Sequence, residues 1–92
     1  MTKRRVRVWI SGRVQGVFFR AFTRDTATRN GVTGWVRNIA DGRVEAVFEG
    51  DPEKVAKVLD WCHNGSPMSS VDNVEIREEA YSGEFTSFKI TH

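Results

Sequence analysis

Ninety-two residues, 39% of them hydrophobic and 28% charged, suit one folded domain spanning residues 1–92 and exclude wholesale disorder. No apolar run approaches the roughly 20 residues needed to cross a bilayer, so no membrane partner is expected. The net charge of +2 hides an asymmetry: residues 1–43 hold ten Lys or Arg against two acids, and residues 44–92 hold four against ten. Such polarity can steer anionic ligands, but mutual neutralisation between neighbouring strands and helices is the simpler outcome.

The start, "MTKRRVRVWISG", is basic and then alternates, unlike the continuous apolar core of a secretory leader. Across residues 5–11, Val6, Val8 and Ile10 face one way and Arg5, Arg7, Trp9 and Ser11 the other, the pattern of a half-buried strand. A turn with two glycines, "SGRVQGVFFR" (11–20), leads into "RAFTRDTATRN" (20–30). That stretch reads as a helix stopped by Gly31, with a modest apolar side of Phe22, Ala27, Thr23 and Thr26. Residues 32–38 and 43–50 form a hairpin around Asp41-Gly42.

"DPEKVAKVLDWCHNG" is the clearest helix. Asp51 suits the N-cap, Pro52 the first turn and Glu53 the positive end of the dipole, while Val55, Val58, Leu59 and Cys62 share one face. Residues 71–79 and 85–91 are strand-like and flank Ser82-Gly83. The order is βαββαβ, the last β reading as one strand or two. It implies an α+β, ferredoxin-like sandwich: an antiparallel sheet with two helices on one face.

Cys62 lies on the apolar stripe of its helix, where an inert thiol is expected; as the sole cysteine it suits a reducing, cytoplasmic setting. His63 and His92 are too few and too poorly accompanied for a metal site or a catalytic dyad, so no metal and no covalent catalysis are expected. The turn at 12–20 is the better candidate. Gly12 and Gly16 free the backbone to aim successive N–H groups at an anion, and the next helix adds its positive end. Arg20 can offer a planar fork to two oxygens of a phosphate or carboxylate. Neither the G-x-x-x-x-G-K-[ST] pattern of triphosphate loops nor the G-x-G-x-x-G of dinucleotide sites is present.

"GRVQGVFFR" together with "GWVRN" (34–38) resembles the paired signature of the acylphosphatase family. The "DG" that follows, the acidic-Pro helix start, "GSPMSSVDNVEI" and "FKI" are similar in order and spacing, so the resemblance spans roughly residues 5–91. Ser66 departs from it, standing where a second proline is expected before Pro67, and "ITH" replaces a more basic or aromatic ending. The resemblance implies an enzyme without cofactors that hydrolyses small-molecule acyl phosphates to carboxylate and inorganic phosphate. By motif position, Arg20 would bind the phosphate and Asn38 would orient the attacking water. The backbone of Arg13, Val14, Gln15, Gly16, Val17, Phe18 and Phe19 would be the phosphate cradle. Phe18 and Phe19 are expected to be core pegs locking that turn, and Trp9 and Trp35 packing residues. A monomer is the simple expectation.

An RNA-recognition domain shares the βαββαβ order and is the rival from a different class. Its aromatic platform is missing from "GRVEAVFEG", where Glu45 and Glu49 would repel phosphate, so no nucleic acid is expected. A phosphate-binding domain without catalysis is a third reading, opposed by the presence of both Arg20 and Asn38.

Overall fold

In a computed structural model, which describes residues 2–92, seven elements follow in chain order. They are β1 (Arg4–Arg13), α1 (Phe19–Arg29), β2 (Thr33–Asn38), β3 (Val44–Gly50), α2 (Pro52–Asn64), β4 (Ser70–Glu79) and β5 (Phe88–Ile90). They form one five-stranded sheet in the order β4-β1-β3-β2-β5. This is the ferredoxin-like α+β sandwich. The expected antiparallel sheet needs one correction: β5 pairs in parallel with β2, Gly34 opposite Phe88 and Val36 opposite Ile90. The doubled last strand has therefore split to opposite edges. Residues 80–84, and Phe85 to Ser87 of the expected strand 85–91, join β4 to β5 without strand pairing.

Alternation decides which sheet face is covered. Val6, Val8 and Ile10 of β1 stand opposite Phe48, Ala46 and Val44 of β3, and all six are fully buried. Val55, Val58, Leu59 and Cys62 of α2 pack into the same core, as do Phe19 and Ala27 of α1. Phe48 and Phe88 stack with ring centroids 5.5 Å apart. Burial pushes the Cys62 thiol up to about 12, which keeps it an inert packing group.

Two local expectations are corrected. The buried stripe of α1 is Phe19, Thr23, Thr26 and Ala27, and Phe22 points outward, 42% exposed. Thr23 tolerates burial because its hydroxyl donates to the Phe19 carbonyl at 2.8 Å. Asp51 precedes α2 but makes no side-chain cap; its carboxylate instead accepts from Lys3 Nζ at 2.6 Å.

The uncovered face holds the charge asymmetry in neutralised form. Basic β1 lies between acidic β3 and β4, so Arg5 meets Glu49 at 3.1 Å and Glu79 at 2.9 Å, and Arg7 meets Glu45 at 3.1 Å and Glu79 at 2.9 Å. Trp35 carries the guanidinium groups of Arg7 and Arg37 at 5.4 and 5.2 Å from its ring centre, and Trp9 carries Arg77 at 5.1 Å. The connection after β4 is pinned to this face. The Glu49 carboxylate, 1% exposed, accepts from the Ser82 backbone N–H, the Ser82 hydroxyl and the Gly83 N–H.

Candidate active site

The turn between β1 and α1 takes its shape from two left-handed residues, Gly16 at φ 74° and Phe18 at φ 60°. Glycine adopts that region freely, whereas phenylalanine does not. The backbone N–H groups of residues 15 to 20 donate to no protein acceptor among the described residues. A run of outward-free donors at the start of a helix is what an anion requires. Gly12 plays a different part from the one expected of it. It sits where β1 shifts register against β4, and a Cβ there would run into the Ser70 carbonyl oxygen. It permits close strand approach rather than shaping the cradle.

Three ties hold the turn. The Gln15 side-chain amide donates to the carbonyls of Ile39 and Arg43, both at 2.9 Å, binding the turn to the β2–β3 hairpin just beyond Asn38. The Ser66 hydroxyl donates to the Val17 carbonyl at 3.2 Å. The Phe19 ring packs on Trp61 with centroids 5.2 Å apart, fixing the start of α1 to α2. Ser66, 3% exposed, is thus the residue whose departure from proline supplies a hydrogen bond.

A hollow of about 290 Å³ opens against this turn. Val14, Gly16, Phe18, Phe19 and Arg20 line it from the turn and α1, and Asn38 from the end of β2. Asn38 projects from the helix-covered face because it lies in register with Val44, not with Glu45. Its Oδ1 is buried and has no hydrogen-bond partner among the described residues. Such an atom is costly unless something else donates to it. Arg20 makes no ion pair among the described residues, unlike the arginines of the sheet face. Arg20, the unpartnered amide of Asn38, and Gly16, Phe18 and Phe19 of the turn therefore line one small space.

A family model described as Acylphosphatase matches residues 6–90. The chain belongs to the acylphosphatase family. It is 63% identical over 91 residues to the acylphosphatase of Syntrophobacter fumaroxidans, a match covering 99% of this chain and 94% of that protein. Its fold is similar to that of the crystal structure of acylphosphatase from Bacillus subtilis, with TM-score 0.93 and 35% identity over 97% of this chain and 99% of that one. The acylphosphatase structure from Coxiella burnetii is similar too, with TM-score 0.92 and 34% identity over 97% and 93% of the two chains. The chain is accordingly a hydrolase of a family that acts on acyl phosphates.

Within this acylphosphatase fold, the motif residues separate. Arg20 and Asn38, 18 positions apart in sequence, meet at the hollow, together with Val14, Gly16, Phe18 and Phe19. Arg13 lies exposed at the end of β1 and does not line it, and the side chains of Gln15 and Val17 point elsewhere. Phe19 is the core peg expected of it, but Phe18 is not, being 73% exposed. Ala21, Ile90 and His92 also line the hollow. Ile90 and His92 carried no functional signal in the sequence, because their place depends on β5 pairing beside β2. No three His, Cys, Asp or Glu side chains cluster as metal ligands do among the described residues.

Proposed function

We propose that this chain, acting as a single domain, hydrolyses the carboxyl–phosphate bond of acyl phosphates, with the phosphoryl group held on the turn and Arg20 and the attacking water aligned by Asn38. The observation that carries this reading is the buried, unpartnered Asn38 Oδ1 beside Arg20 and the free N–H groups of the turn. An acyl phosphate is a mixed anhydride whose carboxylate is a weakly basic leaving group, so the reaction asks little of a general acid. Phosphoryl transfer asks chiefly for positioning and for stabilisation of charge on the equatorial oxygens. Backbone donors and one guanidinium meet that need, at about 1.5–3 kcal/mol for each charge-assisted bond.

Asn38 Oδ1 accepts one hydrogen of the water and so fixes the line of attack without titrating. The water oxygen bonds to phosphorus as the bond from phosphorus to the carboxyl oxygen breaks. The bond pair leaves with the carboxylate, and a phosphoryl oxygen takes the water's proton. The products are carboxylate and inorganic phosphate.

Hydrolysis of benzoyl phosphate in EDTA tests the reading. Wild-type protein should turn it over without metal, and Arg20→Ala should lose both turnover and competitive inhibition by inorganic phosphate. Full activity in Arg20→Ala, or none in folded wild type, would contradict it.

A further inference from the structure

Phe18 adopts φ 60° and ψ 21° at the N-cap of α1, a conformation that strains a bulky side chain and suits glycine. No core contact offsets that strain, because the ring is 73% exposed. The ring instead lines the hollow shared by Arg20 and Asn38, together with the apolar side chains of Val14, Phe19, Ala21 and Ile90 and with His92. The hollow thus combines a guanidinium and an amide with a largely apolar lining. A ligand that fits it is an anion joined directly to an apolar group.

Resting on the hydrolytic reading above, we propose that the Phe18 ring, with Ile90, is the acyl subsite and selects acyl phosphates with a flat, apolar, aromatic acyl group over short aliphatic ones. Once the phosphoryl group occupies the cradle, its acyl substituent has to lie against the rest of the lining. Val14 and Phe19 also line the hollow but are almost wholly buried, which leaves Phe18 and Ile90, with the small Ala21, as the accessible apolar side chains that can cover it. An aromatic acyl group stacks on or packs edge-to-face with the Phe18 ring, whereas an acetyl group is too small to cover it. Phe18 is then a specificity-determining residue, retained at a strained position for what its ring touches.

The test compares kcat/KM for benzoyl and acetyl phosphate, in EDTA, between wild type, Phe18→Gly and Phe18→Asn. Both replacements accept the left-handed backbone and remove the ring, and thermal melting establishes that they are folded. The benzoyl-to-acetyl ratio should fall roughly fivefold in each variant, through a raised KM for benzoyl phosphate. In Phe18→Tyr, which restores a ring, the ratio should return towards that of wild type. Comparing ratios between variants cancels the different intrinsic reactivities of the two substrates. An equal loss on both substrates, or an unchanged ratio, would overturn the subsite while leaving the hydrolytic reading standing. Turnover of neither substrate by folded wild type would overturn that reading and the subsite with it.

Discussion

Glycines twelve and sixteen lie four residues apart in one motif and do different work. A Cβ at Gly16 meets nothing within 4 Å, so what resists substitution there is φ 74° alone. Gly16→Ala should therefore destabilise by only about 1–2 kcal/mol. A Cβ at Gly12 would strike the Ser70 carbonyl and approach the Asp72 amide nitrogen to 2.8 Å, both backbone atoms that cannot swing aside. Gly12→Ala should cost about 3 kcal/mol and loosen β4. Urea denaturation of the two variants measures the difference; equal losses would mean that Gly12 is not held by its strand contact. Sequence made both glycines look like parts of one anion nest, because periodicity does not reveal which backbone passes overhead. Phe18 and Phe19 misled in the same way: adjacent and identical, they part because one has left-handed backbone and the other begins a helix.

At the scale of elements, the alternation of β1 and β3 and the apolar face of α2 were legible because each pattern has one period and one buried side. The connection from β4 to β5 was not. Its anchor is a carboxylate 33 residues before Ser82, and Glu49 gives no sign in the sequence that Ser82 and Gly83 will close over it. The placing of Ile90 and His92 at the hollow depends on that path. The tie between turn and hairpin was likewise hidden in a residue read as cradle. Since the Gln15 amide holds both carbonyls just past Asn38, Gln15→Leu should shift the cradle relative to the amide oxygen. It should lower kcat about tenfold while changing inhibition by inorganic phosphate much less. Parallel loss of both would show that Gln15 supports the cradle alone. The sheet edges are protected by different means: β5 is three residues long, and β4 carries Glu75 and Arg77 outward.

For the whole molecule, a +8 half against a −6 half resolves into a basic strand between two acidic ones. The consequence is a pH dependence. Burial pulls the Glu49 carboxyl upward, but hydrogen bonds from Ser82 and Arg5 outweigh it and hold that group below the usual carboxylate range. For Glu45 burial is likewise outweighed, by Arg37 and Arg7. Hydrogen bonds from Arg5 and then Arg7 bring Glu79 down to about 2. A carboxyl depressed in the folded state stabilises fully above its unfolded value and progressively less as pH falls towards its folded one. Urea midpoints should therefore be level near neutrality and fall between about pH 5 and pH 2. A midpoint unchanged down to pH 3 would mean that these pairs contribute nothing net.

The division of labour between Arg20 and Asn38 is the centre of the proposed chemistry, and one variant separates binding from attack most directly. In Asn38→Ala, benzoyl phosphate turnover and competitive inhibition by inorganic phosphate are measured together. The expected result is a kcat lower by about two orders of magnitude or more, with phosphate inhibition nearly that of wild type. A large loss of phosphate affinity, or wild-type turnover, would contradict the assignment of the attacking water to the Asn38 amide.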